Sequence, residues 1–211
     1  MAFTLLPKSE DENINTAISE IINRSIIEDK SEVIEIVYME NIPKLSKINI
    51  GDWIDLCAAD DYYIRRGENK LINLGVKMDL PIDYEAYVLP RSSTFIKYGC
   101  ILLNSMGIID CSYRGWWKAN FYCLKPNQED IYITDKDPKW LRILSSFKIG
   151  KWIIKHIFKN TYYKYQYTLI SKGDRICQFR IMSNMPSIEF IETDKLENTE
   201  RSSNGFGSTG V

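Results

Sequence analysis

The residues best suited to chemistry lie in a few short polar segments between apolar runs. Asp55-Leu-Cys-Ala58 opens one such run. Pro90-Arg91-Ser92-Ser93-Thr94-Phe95 places a cation and two hydroxyls after another. Asn104-Ser-Met-Gly107-Ile-Ile109-Asp110-Cys-Ser-Tyr113-Arg-Gly115 reads as a hairpin with Asp110 and Tyr113 near its turn. Gly173-Asp-Arg-Ile-Cys-Gln178 is a turn feeding a strand. The final segment is Arg201-Ser-Ser-Asn-Gly-Phe206-Gly207-Ser208-Thr209-Gly-Val211. A single histidine, His156, leaves no material for a histidine triad or a multi-histidine metal centre. The five cysteines form no C-x-x-C pair, which removes support for zinc and thioredoxin readings. Carboxylates, hydroxyls, arginines and backbone amides remain, a set suited to phosphate chemistry with a hard cation. Each segment alone also has a plain structural reading as a polar turn, a turn aspartate or a frayed terminus. For the Gly/Ser-rich tail the functional alternative is a flap whose amides and hydroxyls wrap a phosphate.

These segments need a scaffold, and the intervening sequence points to a β-rich one. Val33–Met39, Asp55–Ala59, Leu71–Met78, Ala86–Leu89, Ile101–Asn104, Ala119–Leu124, Thr168–Ser171, Arg175–Ile181 and Ser187–Glu192 are short runs punctuated by Pro, Gly, Asn and Asp. Many short strands at close spacing argue an all-β sandwich or barrel. Residues 9–28 read as a helix, with Ser9 and Glu12 at capping-box spacing and Ile14, Ile18, Ile21, Ile22 and Ile26 at helical intervals. Residues 139–159 stand apart. They carry Lys139, Arg142, Lys148, Lys151, Lys155 and Lys159 and no acid, with Trp140, Leu144, Trp152, Ile153 and Phe158 among the apolar positions. The spacing predicts one or two amphipathic helices broken near Gly150, with Lys151, Lys155 and Lys159 on one face. Those five apolar residues are expected to be buried.

Composition narrows the class further. At 211 residues and 24.6 kDa the chain suits one domain, or one domain plus an appendage. Lys+Arg 27 against Asp+Glu 28 argues against a nucleic-acid coat or an acidic tail. No apolar run approaches the ~18 residues of a membrane span, so no membrane partner is expected. Without signal-peptide features, and with an odd cysteine count, a cytoplasmic location is expected.

In this order the five polar segments resemble the five motifs of the trimeric dUTPases, the dUTP nucleotidohydrolases. The stretches Pro90–Phe95 and Asp174-Arg-Ile-Cys-Gln-Phe-Arg-Ile181 are similar to a subtype met in low-GC Gram-positive bacteria and their phages. The resemblance implies an all-β, distorted jelly-roll subunit in a homotrimer whose active sites are built from three chains. It implies hydrolysis of dUTP to dUMP and diphosphate with magnesium, limiting uracil in DNA and supplying dUMP for dTMP synthesis. It further implies Asp110 as the base for water attack at the α-phosphorus and Gln178 as a contact near the scissile bond. Asn104, with the hairpin backbone at Gly107 and Ile109, would pair with uracil, and Tyr113 would lie under the deoxyribose. Arg91, Ser92 and Ser93 match the phosphate motif. Asp55 matches an acid that holds magnesium through water. Phe206 and Gly207 would close over the base, while Arg201, Ser208 and Thr209 reach the outer phosphates.

The resulting organisation is an N-terminal extension (1–32), a β domain (33–200) interrupted by a basic, aromatic insertion at about 130–163, and a flap (201–211). The rival reading is a regulatory binding protein on this scaffold, using the insertion to grip an acidic protein or a nucleic acid. A dCTP deaminase is a third reading, opposed by the tail and by Tyr113.

Overall fold

The computed structural model describes residues 32–46 and 51–197. The helix expected over 9–28 and the tail from Arg201 lie outside the described residues. Among the described residues eleven strands form: β1 (Glu35–Tyr38), β2 (Ile54–Cys57), β3 (Tyr62–Arg65), β4 (Asn69–Asn73), β5 (Val76–Asp79), β6 (Tyr84–Pro90), β7 (Cys100–Leu102), β8 (Gly107–Ile109), β9 (Lys118–Cys123), β10 (Tyr167–Ile170) and β11 (Arg175–Ser183). Period-two burial places them. Ala119, Phe121 and Cys123 of β9 point inward while Lys118, Asn120 and Tyr122 are more exposed, and Ala86 and Val88 do the same on β6.

Among the described residues every strand pair is antiparallel. The sheets run β2-β11-β6-β8, β4-β9-β7, β1-β5 and β3-β10. Their inner faces share one core that includes Leu56, Ile64, Ile72, Trp117, Phe121 and Phe179. Trp117 meets Phe179 edge to face, with ring centroids 5.2 Å apart. This is the expected distorted jelly roll.

Three expectations need correction. The run Leu71–Met78 is two strands, because Gly75 turns the chain at φ 72° with Ile42 packed where a Cβ would stand. Ser187–Glu192 forms no strand: it has no partner strand, and Ile188, Phe190 and Ile191 are exposed. β3 and the short helix α1 (Thr94–Tyr98) were not anticipated; Tyr62–Arg65 has only four residues and ends on Arg65 with Arg66 next, a weak pattern in isolation.

The insertion folds as three helices, α2 (Lys139–Ser145), α3 (Lys148–His156) and α4 (Lys159–Tyr165). They enclose a separate small core of Ile131, Leu141, Ile154, Tyr162 and Tyr165. Helices of seven to nine residues present only a narrow inward stripe, and that stripe carries Leu141 and Ile154. Trp140, Trp152 and Phe158 are therefore 46%, 54% and 43% exposed, against expectation, while Leu144 and Ile153 are half-buried. The breaks fall at Ser146–Phe147 and Ile157–Phe158. Gly150 lies inside α3, where a Cβ would collide with the carbonyl of Leu144, so it permits the close α2–α3 approach. Lys159 opens a new helix, so the three lysines do not share one helical face.

The insertion is fastened to the barrel at its root. Arg65 donates from Nε to the Tyr132 carbonyl at 2.9 Å and grips Asp137 with both terminal nitrogens. Thr134 donates its hydroxyl to the same carboxylate at 2.8 Å, and its N–H also points there. Tyr63 stacks on Tyr132 at 4.7 Å. Burial alone would raise the Asp137 carboxyl, but Arg65 and Thr134 outweigh it and hold it below the ordinary carboxylate range.

Candidate active site

β11 is the inner strand that carries much of the site. Its register sets Gln178 beside Asp55 of β2 on one side and Leu89 of β6 on the other. A bulge interrupts this order: Arg175 opposes Cys57 and Cys177 opposes Leu56, leaving Ile176 as the extra residue. Both Ile176 and Cys177 are consequently buried. Residues three apart on a regular strand point to opposite faces. The extra residue restores Arg175 to the face of Asp55 and Gln178, which is how a bulge re-aims a side chain.

Arg91 follows β6 and donates its N–H to the Ile176 carbonyl at 3.2 Å. Its Nε reaches Asp55 Oδ1 at 2.7 Å, and an Arg175 terminal nitrogen reaches Oδ2 at 3.1 Å. Asp55 is 15% exposed. One carboxylate between two guanidiniums leaves a net positive group, a setting for phosphate oxygens. Ser92 and Ser93 are exposed beside it. Thr94, buried at the start of α1, donates its hydroxyl to Ile176 at 2.8 Å and ties this loop to the bulge. A cavity of about 190 Å³ opens here, lined by Lys44, Ser46, Asp55, Cys57 and Arg175 among others. Burial pushes the Cys57 thiol up despite the nearby arginines.

The second cluster lies at the other edge of the same sheet. β8 pairs with β6 through Gly107–Val88 and Ile109–Ala86. The turn before it holds Asn104, with Ser105 in the left-handed region at φ 57°. After β8, Tyr113 donates its N–H to the Asp110 carbonyl at 3.0 Å and closes a turn. The tyrosine ring lies over Gly115, where any Cβ would collide with it, and its hydroxyl donates to the Trp116 carbonyl at 3.2 Å. Ile108, Ile109, Asp110, Tyr113 and Lys118 line a cavity of about 170 Å³. Asp110 and Tyr113 are exposed in the single chain.

Asp55 on the edge strand β2, Gln178 on its neighbour β11 and the Arg91–Ser93 loop that reaches Asp55 thus form one group, and Asn104, Gly107, Ile109, Asp110 and Tyr113 gather around the opposite edge strand β8. Three strand spacings separate the edges, and the register places Asp110 about four residues along β6 from the level of Asp55. Strand geometry then puts the two carboxylates roughly 20 Å apart. Arg201, Phe206, Gly207, Ser208 and Thr209 lie outside the described residues. Arg175 was missed as a site residue. Its signal, a cation directly after the Gly173-Asp174 turn, is weak without the bulge.

Among the described residues, no three His, Cys, Asp or Glu side chains converge as a metal cage. Both Asp55 oxygens already accept from arginines. The donor set fits a cation carried by a phosphorylated ligand and touched through water, rather than one held by protein ligands alone.

The fold is an antiparallel jelly roll that carries a cationic cleft around Asp55, Arg91 and Arg175 and a carboxylate–tyrosine hairpin at β8, a donor set suited to a phosphorylated ligand. Comparison with known proteins narrows it. The dUTPase family model matches residues 53–138. The SPbeta prophage-derived deoxyuridine 5'-triphosphate nucleotidohydrolase YosS of Bacillus subtilis is 40% identical over 182 residues, covering 84% of this chain and 98% of that protein. A deoxyuridine 5'-triphosphate nucleotidohydrolase of Finegoldia magna is 33% identical over 171 residues, covering 80% and 91%. The Staphylococcus bacteriophage 80alpha dUTPase with dUPNHPP superposes with a TM-score of 0.62 at 19% identity, covering 86% of this chain and all of that one. The chain belongs to the dUTPase family.

Proposed function

We infer that this chain hydrolyses dUTP to dUMP and diphosphate, in a site completed by other copies of itself in a homotrimer. The observation that carries this reading is the pairing of family membership with two complementary half-sites on opposite edges of one sheet. Asp110, three strands and about four residues of register away from Asp55, cannot serve phosphates held beside Asp55 ~20 Å away, whereas two chains can bring the two half-sites together.

In this reading Asn104 and the bare backbone from Gly107 to Ile109 recognise the uracil edge. Tyr113, braced over Gly115, forms the floor under C2′ where a ribose hydroxyl would collide. Arg91, Ser92 and Ser93 hold the phosphates, and Gln178 donates near the bond to be broken. Asp110 accepts the proton of a water whose oxygen attacks the α-phosphorus, while the α,β-bridging oxygen leaves with the diphosphate. Magnesium, bound on the phosphates, would offset their negative charge. Asp55, oriented by Arg91 and Arg175, would accept hydrogen bonds from waters around that ion. A mutant dUTPase from phage phi11 of S. aureus coordinates a structural Mg(II) ion; its fold likeness to this chain has a TM-score of 0.55 at 15% identity. Arg201, Phe206, Gly207, Ser208 and Thr209 complete the reading as a flap over base and outer phosphates. In a cell this activity limits uracil in DNA and supplies dUMP for dTMP synthesis, in the cytoplasm.

The test is diphosphate release from dUTP, dCTP, dTTP and UTP side by side, with magnesium and with chelator. Rapid release from dUTP alone, lost with chelator, is the expected result. Release of ammonia from dCTP instead would move the chain to the deaminase reading.

The exposed face of the insertion supports a second, additional role. Trp140, Phe147, Trp152 and Phe158 are exposed, and residues 139–159 carry six cations and no acid, of which Lys151 pairs with Asp130 outside that stretch at 2.8 Å. Such a face suits an acidic protein or nucleic-acid partner, whose binding would weaken with salt. Replacing residues 139–159 by a short Gly/Ser link should abolish partner binding and leave dUTP hydrolysis largely unchanged. Loss of hydrolysis would assign the segment to the enzyme's own architecture.

A further inference from the structure

Two buried thiols face each other at the edge of the three-stranded sheet. Cys100 of β7 and Cys123 of β9 are direct partners in the antiparallel register. The neighbouring bonds fix the kind of pair. Leu124 donates its N–H to the Gly99 carbonyl and Leu103 to the Asn120 carbonyl, each at 2.9 Å. These bonds bracket Cys100–Cys123 and Leu102–Phe121 as the non-hydrogen-bonded positions of the ladder. Partners at such positions stand closest, with Cα atoms about 4.5 Å apart. That separation lies within the ~4.4–6.8 Å that a disulfide spans. Both side chains point into the core, at 1% and 0% exposure.

The pair is also chemically asymmetric. Cys123 Sγ lies 3.5 Å from the Thr168 hydroxyl, which itself donates to the Tyr98 carbonyl at 2.7 Å. The hydrogen bond with the Cys100 thiol holds the Cys123 thiol below its ordinary range against the opposing effect of burial, while the same contact and burial push Cys100 up. None of these groups has a part in the proposed hydrolysis.

We propose that Cys100 and Cys123 are a redox modification site, a cross-strand dithiol that closes to an intrachain disulfide under peroxide. The Cys123 thiolate attacks one oxygen of hydrogen peroxide, giving a sulfenic acid and, after protonation, water. The Cys100 sulfur then attacks the Cys123 sulfur and displaces the second water. One S–S bond forms, two S–H bonds are lost, and the peroxide is reduced to two waters. Access needs only local opening, because β7 has three residues and lies at the sheet edge, in the order β4-β9-β7. The disulfide would staple β7 to β9 beside Gly99, the left-handed cap of α1. α1 is the helix that leads out of the Arg91–Ser93 loop, so closure restrains the far end of that segment.

The experiment treats the full chain with hydrogen peroxide, alkylates the remaining thiols, and maps peptides by mass spectrometry. The expected product is a monomer-mass species lighter by two hydrogen atoms, with one linked peptide pair joining Cys100 to Cys123, reversed by dithiothreitol. Its thermal midpoint should rise by about 5–10 °C. Cys100→Ala and Cys123→Ala should each abolish the link, and Cys111→Ala should not. The proposal is overturned if all five thiols stay alkylatable, or if the oxidised thiols are Cys57, Cys177 or the half-exposed Cys111 alone. The wild-type peptide map decides this even if an alanine variant does not fold.

Discussion

Arg175 and Asp55 meet across the β11–β2 pair, guanidinium nitrogen to Oδ2 at 3.1 Å, because a single extra residue, Ile176, turns Arg175 onto the face that Gln178 already occupies. Asp55 takes Arg91 on its other oxygen at 2.7 Å. The carboxylate is therefore a hub that fixes two cations drawn from motifs far apart in the chain. Arg175 is a positioning residue in this arrangement.

Arg175→Ala should lower kcat/KM for dUTP by about tenfold to a hundredfold, the worth of one charge-assisted hydrogen bond. Arg175→Lys should recover only part, since a point charge cannot reproduce the guanidinium geometry. Steady-state kinetics on both variants, with thermal melts to confirm folding, provide the check. Wild-type kinetics in Arg175→Ala would remove the residue from the site.

Asp110→Asn should reduce kcat by roughly 10²–10⁴-fold, the usual contribution of a general base. Its melting point should stay close to wild type, because Asp110 is exposed in the single chain. Gln178→Ala should also be slow, through loss of a contact at the other edge. Mixing the two variants after subunit exchange should restore activity well above either parent. Intact half-sites from different chains would then meet. Absence of complementation, with exchange demonstrated, would mean each site is built from one chain.

Tyr113→Ala should raise UTP turnover relative to dUTP by removing the floor braced over Gly115. The ratio of kcat/KM for the two nucleotides is the readout, and an unchanged ratio places sugar discrimination elsewhere.

Docking of the insertion should depend on pH through Asp137. Its carboxyl lies below the ordinary range in the folded protein, so the contribution is fully present above the unfolded value of about 4. It is lost only as pH falls through the lower, folded value. Limited proteolysis across residues 130–166 should therefore stay slow down to about pH 4 and accelerate below it. Asp137→Asn should be cut faster at neutral pH and show a weaker acid dependence, the remainder coming from Asp130, whose carboxyl, against burial, is held low by Lys151 and the Ile131 N–H. Equal protection of both proteins at neutral pH would show that the Arg65–Asp137 pair does not fasten the insertion.

Much of this molecule was legible in one dimension. Short runs of alternating burial, such as Lys118–Cys123, declare strands because side chains alternate across a pleated sheet. The order of the five polar segments carried the family resemblance, since each must supply its own backbone shape: a turn before Gln178, a hairpin around Asp110, a glycine under Tyr113. Other features depended on contacts between distant residues. No local signal marks Ile176 as a bulge, because a bulge is defined by the partner strand, and without it Arg175 would be assigned to the wrong face. The burial of Leu141 and Ile154, rather than Trp140 and Trp152, followed from where three short helices cross. Periodicity gives a stripe but not its angle toward a neighbour. The pairing of Cys100 with Cys123 likewise exists only in the register of β7 on β9. Local sequence determined which chemistry the chain can present. The sheet order decided which of those groups share an edge, because strand neighbours are chosen by the packing of the whole core.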